Sequence, residues 1–94
     1  MENKMSNLEK YNQAFITAFN ITESQLSDDF GYQSISEWDS VGHMGLVAEL
    51  EDSFDIMLEM EDIVDFSSYG EGKNILKKYD IEVKWKVSKI SYFV

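Results

Sequence analysis

Ser40-Val41-Gly42-His43-Met44-Gly45-Leu46-Val47-Ala48-Glu49-Leu50-Glu51-Asp52-Ser53-Phe54 reads as a helix with two apolar faces. Place each residue at about 100° per step and set Leu46 at zero. Leu50 then falls at about 40°, His43 at about 60°, Phe54 at about 80° and Val47 at about 100°. That contiguous stripe is the expected core face. Val41, Met44 and Ala48 fall on the far side, at about 220°, 160° and 200°, edged by Glu51 at about 140° and Asp52 at about 240°. A small protein has little reason to place a second apolar stripe on one helix unless that stripe also meets something. Two occupants are compatible with the pattern: the preceding loop folding over it, or a basic partner docking on it.

The residues before this helix lack periodicity. Ile21, Leu26, Phe30, Tyr32, Ile35 and Trp38 are scattered among Ser, Asp, Gln and Gly. They predict a long loop pinned by apolar anchors, with a short helical turn starting at Thr22-Glu23-Ser24-Gln25. Further out, Leu8, Tyr11, Phe15 and Phe19, with Ala14 and Ala18, recur at three- and four-residue steps and predict a first helix over about residues 7–20. On the other side, Met60 to Phe66 predicts a short third helix ended by Ser67-Ser68-Tyr69-Gly70, and residues 71–79 predict a last one. The expected fold is therefore all-α, a small four-helix bundle with a long first loop spanning residues 1–80. From Asp80 the period changes. Ile81, Val83, Trp85 and Val87 alternate with Glu82, Lys84 and Lys86, which predicts an extended or frayed Lys-containing tail over residues 81–94.

Composition narrows the function. The chain of 94 residues carries 8 Lys, no Arg and 18 acidic residues, a net charge of −10. Residues 11–72 hold 14 of those acids and no basic residue except the single His43. Such a body repels phosphate backbones, which excludes ordinary nucleic-acid binding, and it attracts basic protein surfaces. With no Cys, thiolate metal sites and Cys nucleophiles are excluded. No apolar run reaches the roughly 18 residues of a membrane span, and Met1-Glu2-Asn3-Lys4-Met5 leads into no apolar signal core. The expectation is a soluble, cytoplasmic monomer with no membrane insertion.

Three chemistries compete for Ser40. As a helix N-cap its hydroxyl would satisfy a backbone N–H, with Asp39 adding charge at the positive end of the helix dipole. As a modifiable hydroxyl it would stand where a helix start favours an attached phosphate. As a hydrolase nucleophile it would need Asp39 and His43 in relay, but no nucleophile elbow surrounds it. The acidic run Asp55, Glu59, Glu61, Asp62 and Asp65 lacks the spacing of a calcium loop, and no metal site is expected.

Trp38-Asp39-Ser40-Val41, followed by a helix ending Leu50-Glu51-Asp52-Ser53-Phe54-Asp55-Ile56, resembles the acyl carrier protein family. The family pattern is Asp-Ser-Leu opening a helix, followed by an acidic segment ending Glu-Glu-x-Phe. The likeness continues through Glu61-Asp62-Ile63-Val64-Asp65-Phe66 and covers roughly residues 5–80. The resemblance implies a four-helix bundle in which Ser40 receives the 4′-phosphopantetheine arm of coenzyme A from a phosphopantetheinyl transferase. The arm's thiol then carries acyl or aminoacyl groups as thioesters for acyl-loading and acyl-transfer enzymes, and the protein itself catalyses nothing. The same resemblance implies a partner surface of Asp39, Val41, Met44, Ala48, Glu51 and Asp52, offered to basic docking surfaces. Val41 in place of Leu, and Gly42 and Gly45 in place of larger residues, depart from the pattern and point to a carrier specialised for one biosynthetic pathway. The alternative is an unmodified acidic adaptor or inhibitor that uses the same helix without the Ser40 hydroxyl.

Overall fold

The computed structural model describes residues 5–84, and within them the chain forms four helices and no strand. Helix α1 runs Asn7–Phe19, α2 Ser40–Phe54, α3 Met60–Asp65 and α4 Tyr69–Lys77. A single 3-10 turn, Glu23–Gln25, interrupts the long connection between α1 and α2 where Thr22 was expected to start one. Each boundary has a local cause. Ser6 and Glu9 form a capping box at the start of α1: Glu9 N–H donates to Ser6 Oγ at 3.1 Å and Ser6 N–H to Glu9 Oε1 at 2.9 Å. Helices α1 and α2 end at Asn20 and Asp55, each in the left-handed region with φ of 56° and 55°.

Helices α1 and α2 pack on each other and supply most of the core. Tyr11, Ala14, Phe15 and Phe19 from α1 meet Leu46, Val47 and Leu50 from α2, as the periodicity requires. Phe30 and Trp38 from the long loop are buried with them, while Ile21, Leu26 and Ile35 pack against the edge. The loop is thus held by apolar anchors. It is also stitched to the start of α4 by Tyr32 N–H donating to the Ser67 carbonyl at 2.9 Å and Tyr69 N–H to the Phe30 carbonyl at 2.8 Å.

The last helix begins two residues before the expected position. Ser68 accepts from Glu71 N–H at 3.0 Å and caps α4, so Tyr69 and Gly70 enter its first turn instead of terminating α3. Gly72 is required there. A Cβ at this position would run into the Phe66 ring and the Tyr11 hydroxyl. Beyond α4, Ile81 N–H donates to the Leu76 carbonyl at 3.1 Å, Asn7 Nδ2 donates to the Glu82 carbonyl at 3.0 Å, and Val83 is buried in the core. The first part of the alternating segment therefore docks on the body without pairing as a strand. Its continuation through Trp85 and Val87 lies outside the described residues.

Helix α3 is short and leans on a polar anchor. Buried Asp62 accepts from Lys78 Nζ and from the Tyr79 hydroxyl, both at 2.6 Å, and the Tyr79 hydroxyl in turn accepts from Glu59 N–H at 2.8 Å. The hydrogen bond from Lys78 foremost, then that from Tyr79, holds the Asp62 carboxyl below its ordinary value.

Two consequences are measurable. Gly72→Ala should lower unfolding stability in urea by about 1–3 kcal/mol, because the added methyl has no room. Asp62→Asn should be less stable than wild type at neutral pH. A depressed carboxyl contributes stability above its unfolded value, about 3.9, and loses it as pH falls through its folded value. The gap between the two proteins should therefore close only at pH below the usual carboxylate range, and a gap that closes near neutrality would contradict the anchor.

Candidate functional site

The start of α2 differs from the expected arrangement in one decisive respect: Asp39, not Ser40, is the N-cap. Asp39 has extended backbone and its Oδ1 accepts from Gly42 N–H at 2.8 Å. Its carboxylate is the stronger acceptor and occupies one of the orphan amides, so Ser40 falls at the first helical position with its side chain released from capping. The Ser40 hydroxyl is exposed, and its one side-chain partner among the described residues is the Tyr32 hydroxyl, 3.1 Å away. Gly42 permits this close turn. A Cβ there would collide with the carbonyl of Glu37 and touch Phe19 at 3.2 Å.

Beside Ser40 opens a cleft of about 430 Å³ between α2 and α3. Tyr32, Ser40, Met44, Met60 and Val64 stand at its edge, and His43, Ile63 and Phe66 line it more deeply. The second stripe of α2 is open as well. Val41 is 82% exposed and Met44 52%, and Ala48 is exposed beside them. The long loop does not fold over this face. On α3, Met60 and Val64 are 74% and 73% exposed and extend the apolar surface across the cleft. Asp39 and Asp52 are exposed at its border, whereas Glu51 is drawn partly inward, its Oε2 accepting from Leu58 N–H at 2.9 Å. Val41, Met44, Ala48 and Asp52 are thus exposed on one side of α2, Asp39 is exposed at its N-cap, and Glu51 serves the α2–α3 connection.

His43 carries none of the relay chemistry considered for it. Its Nδ1 accepts from the Trp38 indole N–H at 2.9 Å, and its Nε2 lies 2.8 Å from the Ile63 carbonyl. A carbonyl only accepts, so the ring is the Nε2–H tautomer, with both nitrogens engaged. Asp39, Ser40 and His43 therefore form no Ser–His–Asp relay. The imidazole instead bridges the loop to α3 and lies parallel to the indole, with ring centroids 6.1 Å apart and planes 16° from each other.

Tyr32, read from the sequence as an apolar anchor of the loop, is instead 43% exposed and stands beside Ser40, and Met60 and Val64 were not singled out as site residues. Met60 and Val64, four residues apart on one face of α3, left a readable signal. Tyr32 left none, because its approach to Ser40 depends on how the whole loop closes.

A second cleft of about 370 Å³ lies between the long loop and α4, lined by Asn12, Glu23, Leu26, Ser27, Asp28, Tyr69 and Lys73. Its polar atoms are engaged with one another. Asn12 Nδ2 donates to Glu23 at 3.0 Å, the Tyr69 hydroxyl donates to Asn12 Oδ1, and Lys73 Nζ sits 4.7 Å above the Tyr69 ring. Burial first, then the nearby Glu23 and Asp28 charges, pushes the Tyr69 phenol up to about 12. This is a structural seam tying the loop to α1 and α4.

No helix among the described residues is long and apolar enough to cross a membrane. Compared with known proteins, the chain matches no family model and no curated sequence.

The bridging role of His43 and the free hydroxyl of Ser40 separate cleanly on substitution. His43→Ala leaves the buried Trp38 N–H without its acceptor and should cost about 1–3 kcal/mol in urea unfolding, with a displaced Trp38 indole N–H resonance. Ser40→Ala should stay within about 0.5 kcal/mol of wild type, since the cap is elsewhere.

Proposed function

We propose that the protein is an acyl carrier whose Ser40 hydroxyl accepts a 4′-phosphopantetheine arm from coenzyme A. The observation that carries this reading is the release of Ser40 from capping duty. The hydroxyl is exposed at the first position of α2, the cap is supplied by Asp39, and the hydroxyl's side-chain partner among the described residues is the Tyr32 hydroxyl, which leaves it open to modification. The Asp-Ser pair, the acidic helix that follows and the acyl-carrier resemblance of roughly residues 5–80 support the same reading. So does the four-helix content with a long first loop, which agrees with a bundle of carrier type.

In the transfer, Ser40 Oγ gives up its proton to a base of the transferase and bonds to the β-phosphorus of coenzyme A, displacing 3′,5′-adenosine diphosphate. The residues fit the group in two ways. The hydroxyl faces solvent at the mouth of a cleft, so a bulky phosphodiester meets no buried wall. The Asp39 carboxylate accepts from the Gly42 amide, so the cap of α2 does not depend on the Ser40 hydroxyl and would stay intact when that hydroxyl is esterified. When bound, the arm supplies a thiol that holds acyl or aminoacyl groups as thioesters, which answers the absence of Cys. The chain's own part is to present the arm. Val41, Met44 and Ala48 offer an apolar contact, and Asp39 and Asp52 draw a basic partner toward it. Transferases and acyl-transfer enzymes with basic docking surfaces are the partners this face selects, in a cytoplasmic biosynthetic pathway.

The test is intact mass after incubation with coenzyme A, magnesium and a broad-specificity phosphopantetheinyl transferase. Wild type should gain one phosphopantetheine and Ser40→Ala none, with Met44→Glu loading more slowly at unchanged helical content. Unmodified wild type, tried with more than one transferase, would overturn the carrier reading. It would leave the α2 face as the docking strip of an unmodified acidic adaptor.

A further inference from the structure

The wall behind the Ser40 cleft is built from rings in contact, with His43 fixed by hydrogen bonds at both of its nitrogens. His43 lies parallel to Trp38, while Phe66 meets His43 edge-on with centroids 6.1 Å apart. Behind them Trp38 reaches Phe15 at 5.6 Å and Phe19 at 5.1 Å, and Phe66 reaches Phe15 at 6.3 Å. The imidazole is tied forward to the Ile63 carbonyl of α3 and backward to the indole N–H. Helix α3 is held a second time, by Asp62 on Lys78 and Tyr79. Among the described residues every buried side-chain polar atom has a partner.

We propose that the cargo carried on Ser40 is a short acyl group that rests in this surface cleft, outside the helical core. The proposal deepens the carrier reading and rests on it. A long alkyl chain could enter the core beside Ser40 only by parting α2 from α3. That separation breaks the His43–Ile63 bond or the Trp38–His43 bond and strands a buried N–H or ring nitrogen. Aliphatic side chains can shift to admit a methylene chain. An imidazole bonded at both nitrogens cannot turn without losing those bonds, and the close-packed rings behind it leave no slack to absorb the movement. The cleft itself suits a small group. Its apolar surface comes from Met44, Met60, Ile63, Val64 and Phe66, and the Tyr32 hydroxyl, 3.1 Å from Ser40 Oγ, can donate to a phosphate attached there.

The experiment loads the full chain with coenzyme A, acetyl-coenzyme A or tetradecanoyl-coenzyme A, using the same transferase. Each product is verified by mass and then compared by methyl and indole resonances and by melting temperature. Met44, Met60 and Ile63 methyls should shift on loading. The Trp38 indole and the Leu46, Leu50 and Leu76 methyls should superpose in the acetyl and tetradecanoyl forms, with coincident melting temperatures. Loaded protein whose core resonances and melting temperature move with chain length would overturn the short-cargo inference alone. Failure of all three donors to add mass would overturn the carrier reading, and this inference with it.

Discussion

The position of the Trp38 indole sets the geometry of everything around Ser40. The side chain has no exposed surface and sits among Phe15, Phe19 and Phe30, so the largest single apolar gain available to the loop is realised at its last residue but one. Because Trp38 is immediately followed by Asp39, burying the indole places the N-cap carboxylate at a fixed point on the helical body. Helix α2 then starts there and Ser40 follows at its first turn. The indole N–H cannot be buried unpaired, and His43, one turn into α2, is the acceptor. The ring's other nitrogen reaches α3. One buried aromatic thus registers the loop, the start of α2 and the position of α3 against each other.

Charge works against this assembly and in favour of its proposed use. A net charge of −10 on a chain of 94 residues makes the body repel itself, an effect that salt screens. A salt bridge joins Lys78 to Asp62, and Lys78 is largely exposed, so its direct contribution is modest. Stability rests on the aromatic core and on helix caps instead. The acidic excess then remains on the surface, where it would speed encounter with the basic partners proposed for this face more than it would tighten the final complex.

The helical layout was legible because its signals are periodic and local. Leu46, Val47 and Leu50 fell on the predicted face, and the bounds of α2 follow from Asp39 at one end and Asp55 in the left-handed region at the other. The site was only partly legible. Which of two adjacent cap-competent residues takes the cap depends on where Trp38 anchors the chain, a tertiary fact that spacing does not contain. The Ser68 cap, which moved α4 forward, was read as a terminator because Ser and Gly mark both ends of helices. The Tyr32–Ser40 contact and the His43 bridge link residues across a closed loop or between helices, and no local pattern announces them.

The two apolar stripes of α2 bear on function through what each is denied. Had the long loop covered Val41, Met44 and Ala48, both stripes would be explained by packing and Ser40 would lie under the loop. The loop instead turns inward at Phe30 and Trp38, which leaves those residues in solvent and places the exposed Met60 and Val64 of α3 across the cleft from them. Exposed apolar surface on two separate helices, converging on one exposed hydroxyl, is not what core packing alone would select. Gly45 points the same way. It lies within α2 on the exposed side, and a Cβ there would meet nothing within 4 Å, so folding does not require glycine at this position. In a helix, a glycine without a packing reason sacrifices up to about 1 kcal/mol relative to Ala. A sequence optimised only for the free protein would have filled it, whereas a surface optimised for being approached gains from a bare backbone beside Met44 and Ala48.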